Sequence, residues 1–295
     1  MKKLLSSLLL LLLPSMALAQ SKSSSHIWES AAFGEIPGVT LKPLRGWNAA
    51  ITTTFEVIWG ESAAYTPLVA AMSTPYCASN SANDTSAGTG ARTISVKGVD
   101  TSYAAFDETV TMNGTTSVNL ATANVLFINS IEVLTAGSGL VNAGIIQCGT
   151  GANTGGDPAV THQYLGVSSA TAVPAAGAGF GNISESFMYA VPASHTLLCR
   201  NISCGSVFAT AAAGHECVID GYDNLTGVFK RYFTQMQHNT GSNPSNFPGL
   251  IKIPEKTIVL GKMAGVTGSD VGPASMAAEC LLINNTWEDT SQDIF

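Results

Sequence analysis

The sequence predicts an all-β protein, with two tandem β-sandwich, jelly-roll-like domains behind a signal peptide and an N-terminal arm. Three observations carry that expectation. Only 11% of the 295 residues are charged, against about 25% in typical soluble proteins. Polarity comes instead from Ser, Thr, Asn and 29 Gly, a mix suited to strands and turns rather than to long solvated helices. Short alternating apolar runs recur between turn residues, and none has the 3.6-residue stripe and caps of an amphipathic helix.

Residues 1–19 read as a signal peptide. Lys2 and Lys3 form a charged start, Leu4 to Leu13 an apolar core, and Ala17-Leu18-Ala19 an A-x-A cleavage site before Gln20. The apolar run is shorter than the roughly 20 residues of a transmembrane helix, and no later segment reaches that length. Residues 20–50 read as an arm. Pro37, Pro43 and Gly46 break it, and Ile27, Trp28 and Trp47 are scattered without period. Large apolar anchors outside a periodic core suit docking on a neighbour.

The first sandwich is expected over 51–165. Its strands are Ile51 to Trp59, Thr93 to Lys97, Glu108 to Met112, Thr116 to Leu120, Val125 to Leu134 and Gly144 to Cys148. Met112-Asn113-Gly114-Thr115 suits a type I′ hairpin, whose two central residues need positive φ. Gly149 to Pro158 loses periodicity, and 166–182, Ala/Gly-rich with Pro174, reads as a linker. The second sandwich is expected over 183–295. Its strands are Ser186 to Val191, Thr196 to Ser203, Glu216 to Ile219, Val228 to Met236, Lys256 to Lys262 and Ala277 to Ile283. An internal echo links the halves: Gly98, Asp100, Phe106 and Thr111 recur 123 residues on as Gly221, Asp223, Phe229 and Thr234.

Cys77, Cys148, Cys199, Cys204, Cys217 and Cys280 remain after the signal. In an exported chain an even number permits three disulfides; the same residues also serve as small buried hydrophobes. A linker between two separate cores keeps any bridges within each half. Cys77 then pairs with Cys148, and the other four form two bridges. Asn83, Asn113, Asn182, Asn201, Asn224 and Asn284 each begin an N-x-[ST] sequon, which matters where the host glycosylates.

The sequence carries no recognisable catalytic signature. The sequence holds no G-x-S-x-G elbow and no phosphate loop, since Gly149-Thr150-Gly151 lacks the lysine. His26, His162, His195, His215 and His238 lie far apart. His215-Glu216-Cys217 lacks the downstream P-C-x-x-C of a zinc deaminase. Asp220, Asp223 and Asn224 fit turn chemistry better than a calcium loop. Trp28, Trp47, Trp59 and Trp287 suit core or interface anchoring more often than a glycan platform. Phe295 ends the chain as in outer-membrane barrels, but Asp293, Ser291 and Glu288-Asp289 defeat a lipid-facing strand. Net charge is −7 without a Lys/Arg cluster, so no nucleic-acid groove is expected. No cofactor or metal is expected either.

Several stretches resemble virion structural proteins of marine bacteriophages. They are Gly88-Thr89-Gly90-Ala91-Arg92-Thr93-Ile94-Ser95-Val96-Lys97-Gly98-Val99-Asp100, then Glu108 to Thr116, then Leu134-Thr135-Ala136-Gly137-Ser138-Gly139 with Asn142-Ala143-Gly144. Val191 to Thr196 and Ile253-Pro254-Glu255-Lys256 look similar to strand approaches in such chains. The resemblance covers roughly 55–285 in patches and consists of turn-and-strand patterns. It implies a non-enzymatic capsid- or tail-associated subunit and no site residues. The expected partners are copies of the chain itself, as a trimer or larger, and other virion proteins. The alternative is a secreted bacterial adhesin or carbohydrate-binding module with a surface glycan as ligand, on the strength of the signal peptide and cysteines.

Overall fold

The structure is a computed structural model. It describes residues 24–61, 65, 67–68, 70–168, 178–179, 182–206, 214–224, 226–238, 245–267 and 272–286. The predicted signal peptide and Trp287 lie outside them, as does most of the predicted linker.

The chain is nearly all β. Helix α1 (Ser24–Ala32) leads into β1 (Val39–Leu41), β2 (Leu44–Ile51) and β3 (Glu56–Val57). There follow β4 (Tyr76–Ser79), β5 (Ala91–Asp100), β6 (Ala105–Thr111), β7 (Val118–Asn119), β8 (Val125–Ala136), β9 (Ile146–Thr154) and β10 (Asp157–Leu165). A short parallel pair, β11 (Val167–Ser168) and β12 (Ala178–Gly179), precedes β13 (Met188–Ala190), β14 (His195–Ser206), β15 (Gly214–Asp223) and β16 (Val228–His238). Last come β17 (Ser245–Phe247), β18 (Ile251–Ile253), β19 (Thr257–Gly265) and β20 (Gly272–Asn284).

Two pairs of sheets each enclose an apolar core. In the first, β10-β9-β4-β7 faces β6-β5-β8 across Ile94, Val96, Ile128, Ile131, Ile146 and Leu165. In the second, β14 and β20 are the central strands of one sheet, flanked by β1 and β2 on one side and β17 and β18 on the other. It faces β16-β15-β19, which β3 and β13 extend. Leu197, Ile202, Ile219, Val259, Met263 and Leu282 fill the space between. Strand alternation sorts β19: Val259 and Met263 point into this core, while Ile258 and Leu260 point out of it.

Those outward residues meet the first sandwich. Ile258, Leu260 and Met188 pack with Trp59, Val99, Tyr103, Leu126, Phe127 and Tyr164 in a third cluster. Trp59, Phe127 and Tyr103 are at most 1% exposed. The two sandwiches therefore share a buried, largely apolar junction.

Residues 39–51 differ from the expected arm. Leu44–Asn48 of β2 pairs with Ala274–Ala278 of β20, and β1 pairs with Leu281–Ile283. Ile51 and Ile58 lie in the second core, so the N-terminal stretch completes the C-terminal sandwich. The reason is the alternating burial of β2, in which Leu44, Gly46, Asn48 and Ile51 are buried; Pro43 and Gly46 had masked that period. Trp28 is likewise occupied within the chain: α1 lies on the outer face of β20 and β14, and the Arg200 guanidinium sits 3.9 Å over the Trp28 ring. Trp47 is half-buried within β2.

Two further local readings change. The Met112–Thr115 segment is no hairpin: β6 pairs with β5 and β7 with β4, so the turn carries the chain from one sheet to the other. Only Gly114 takes positive φ there. Conversely, the aperiodic 149–158 stretch is a hairpin. β9 runs through it to Gly155 and Gly156, whose φ values of 64° and 105° reverse the chain into β10. The internal echo falls on strands in matching positions, but its aromatics differ: Phe106 pairs with Gly98, whereas Phe229 pairs with Tyr222. β5 lies between β6 and β8 as β15 lies between β16 and β19, and an aromatic ring covers each glycine, Phe106 over Gly98 and Tyr232 over Gly221.

Candidate functional site

The motifs that carry the resemblance converge on one buried carboxylate. Asp84 is 0% exposed. Its Oδ1 accepts from the backbone N–H of Ala91 (2.6 Å) and Ala143 (2.8 Å), and its Oδ2 from Ser79 Oγ (2.6 Å) and the Gly144 N–H (2.9 Å). Gly90 is needed beside it, because a Cβ there would lie 2.1 Å from Oδ1. Gly137 and Gly139 donate to the backbone of Gly90 and Thr89. The Gly88–Asp100, Leu134–Gly139 and Asn142–Gly144 stretches thus form one loop knot, whose polar groups answer one another.

The disulfides are Cys77–Cys148, joining paired residues of β4 and β9, and Cys199–Cys280, joining paired residues of β14 and β20. The first is the pairing expected. Cys199–Cys280 is one of the two bridges expected among the remaining four cysteines, and Cys204 and Cys217 are buried thiols in this structure.

A cleft of about 880 Å³ opens between the sandwiches, bounded by residues 41–45, the outer face of β5, β6 and β8, and residues 183–195. Its charged groups fall in two sets. Lys97 Nζ lies 3.4 Å from Glu132 and 3.8 Å from Asp107, which also accepts from Ser95 Oγ at 2.6 Å. Burial pushes the nearby Lys42 ammonium below its usual pKa, and Lys97 adds to that. On the other wall, burial raises the Glu185 carboxyl to about 7, against the pull of Arg45. Ser130, Ser184 and Asn129 add hydroxyl and amide groups. The cleft is thus suited to hydrogen-bonding a polar ligand.

The other residues singled out by sequence stand apart. Asp220 accepts from Arg231 Nε (2.9 Å) and Lys262 Nζ (3.2 Å), and Asp223 from Lys230 Nζ (2.8 Å). Both carboxylates are therefore committed to cations, with Asn224 in the adjoining turn. His195 lines the cleft with Nδ1 2.8 Å from the Ala193 carbonyl, and His215 Nδ1 meets Ser206 Oγ at 2.6 Å. His162 is buried beside Tyr65. Among the described residues no group of three or more His, Cys, Asp or Glu is placed to hold a metal. Among the sequons, Asn83 and Asn113 are exposed, whereas Asn182, Asn201, Asn224 and Asn284 are half-buried.

Among the described residues, one edge of the C-terminal sandwich carries partly exposed apolar side chains. Among the described residues β16 pairs only with β15. Along β16 Val228, Phe229 and Met236 are 50–55% exposed, and Phe247 and Leu250, in the segment leading into β18, are 38% and 57% exposed. The Phe233 and Phe247 rings, 5.2 Å apart, close the gap between the two sheet edges. No sequence signal marked this rim, because only the pairing pattern shows which strand is left at an edge.

No protein-family model matches the chain, and no curated protein is detectably similar to it. Among solved structures, it is similar to the VP2 subviral particle of infectious bursal disease virus at 11% identity and a TM-score of 0.24. That match covers 83% of this chain and 72% of the other. It is also similar to T=1 particles derived from the same virus, at 12% identity and a TM-score of 0.23, covering 84% and 70%.

Proposed function

We propose that this chain is a non-enzymatic structural subunit of a virion, capsid- or tail-associated, which acts by self-assembly. The observation that carries the reading is the apolar rim of the C-terminal sandwich. A long strand edge with half-exposed Val, Phe and Met side chains is a template for pairing with another chain. Low charge density leaves little repulsion between copies. The two disulfides and the shared junction supply a stiff body on which such a rim keeps its shape. Oligomers of trimer size or larger follow if the rim meets a different surface of the next copy, since head-to-tail contacts close into rings or shells.

Light scattering of the full-length protein at tens of micromolar tests this, because micromolar affinity corresponds to about −8 kcal/mol. The wild type should be oligomeric, and Met236→Lys with Leu250→Lys should shift it to monomer with unchanged circular dichroism. A monomeric wild type at that concentration would overturn the proposal.

The cleft supports a second reading, a secreted adhesin or carbohydrate-binding module. Glycan-array binding by a monomeric protein, lost on Lys97→Ala, would establish it.

A further inference from the structure

The two bridges in this protein each join neighbouring strands of one sheet, and neither crosses a sandwich. Cys204 and Cys217 are placed differently. Cys204 is on β14 in one sheet and Cys217 on β15 in the other, and both belong to the core between them, at 1% and 0% exposure. Where the chain leaves β14 and enters β15 the two strands are tied by the 2.6 Å contact of Ser206 with His215. Cys204 lies two residues before Ser206 and Cys217 two residues after His215. With a side-chain period of two, both cysteines sit on the same face of their strands as the tied pair, one step deeper. Cys204 and Cys217 are neighbours in that core.

We propose that Cys204 and Cys217 are a disulfide-forming site, the one that bonds the two sheets of the C-terminal sandwich to each other. The oxidant it takes is a small-molecule or protein disulfide. One cysteine thiolate attacks that disulfide, forms a mixed disulfide and expels one thiolate. The second cysteine thiolate then attacks the protein sulfur of the mixed disulfide and expels the other. Two protein thiols lose two electrons, the oxidant becomes two thiols, and the two protons go to the expelled thiolates.

Timing follows from burial. Burial and the adjacent Cys204 sulfur push the Cys217 thiol well above its ordinary pKa, and only a thiolate attacks. The bond therefore forms while the sandwich is still open and is sealed in when the core closes. A chain that folds reduced keeps its dithiol.

The test uses the full-length chain, reduced and unfolded, then refolded in a buffer of reduced and oxidised glutathione. The folded fraction is isolated by size exclusion. Thiols are counted with Ellman's reagent in denaturant, and bridges are mapped by unreduced peptide digestion. The expected result is no titratable thiol and a peptide linking Cys204 to Cys217. Cys204→Ala should give one thiol per chain and lose that peptide alone. Folded native protein exposed to the same buffer without unfolding should oxidise at least tenfold more slowly. Two thiols per refolded chain, with Cys77–Cys148 and Cys199–Cys280 formed, would overturn the proposal. So would a bridge from Cys204 or Cys217 to any other cysteine.

Discussion

Asn129 of β8 and Ala190 of β13 exchange two hydrogen bonds across the junction of the sandwiches. Asn129 Nδ2 donates to the Ala190 carbonyl at 3.2 Å, and the Ala190 N–H donates to Asn129 Oδ1 at 2.8 Å. A carboxamide thus takes the place of a neighbouring strand at an edge with none. Gln163 continues the link, donating to the carbonyls of Ile128 and Asn129 at 3.1 Å each. Asn129→Leu leaves the Ala190 backbone groups unpaired beside an apolar cluster. It should cost about 2 kcal/mol, the usual range for buried unsatisfied groups. Denaturant unfolding measures it, and a loss below about 0.5 kcal/mol would show that water replaces the amide.

Asp84 should matter more. Its carboxylate serves four donors from three segments, and charge-assisted bonds of this kind are the strong ones. Asp84→Ala should lower stability by about 3–5 kcal/mol, the range for breaking a buried charged network. The near-isosteric Asp84→Asn should recover part of that, because it keeps one acceptor oxygen. Equal losses in the two variants would show that charge rather than shape organises the knot.

The pH dependence has two opposing parts. Burial lowers His162 to about 4 from 6.5, and its Nδ1 has no hydrogen-bond partner among the described residues. Between pH 6.5 and 4 the unfolded chain binds a proton that the folded chain refuses. Stability therefore falls as pH drops through that window, by up to about 3 kcal/mol. His162→Gln should flatten this slope. Glu185 works the other way. Its folded carboxyl, raised from 4.5 to about 7, holds a proton that the unfolded chain releases, so stability falls as pH rises through that window. Glu185→Gln should be more stable than wild type above pH 7, with the gap closing by pH 4. Thermal melts across pH 4–8 separate the two.

Truncation should distinguish the helix from the strands behind it. Removing residues through Ala32 strips α1 from the outer face of the sheet and should leave a folded, less stable protein. Removing residues through Ile51 takes β1 and β2 from β20 and should abolish the C-terminal sandwich. Proteolysis followed by mass spectrometry would show a surviving fragment confined to about residues 70–168. A fully folded chain lacking 24–51 would return those residues to the status of an arm.

The strand content was readable where apolar and β-branched residues cluster between turn residues, as in β5, β8, β19 and β20. It was not readable where a strand is short or Gly-rich. β9 carries Gly149 and Gly151 because Pro158 and Ala159 of β10 pack onto them, so the pairing itself erased the hydrophobic period. β2 was hidden because its partner lies more than 200 residues away, and no local pattern reports so distant a neighbour. The Asp84 knot was visible as a set of recurring turn patterns, but not as a single object. The cleft was invisible, since Lys42, Lys97 and Glu185 come from three separated segments.

The pairing of β2 with β20 also orders the protein's birth. Among the named strands, β4 to β10 pair only with one another, so that half can close while the rest is being synthesised. The second half cannot. Its first strands must wait, unpaired, until β20 emerges to lie between them and β14. Such long-range closure is slow. A ribosome that stops short of residue 272 therefore releases a chain missing the central strand of one whole sheet. Only finished copies can build the body that carries the apolar rim, and a particle built from this subunit would exclude its own incomplete products without any separate inspection.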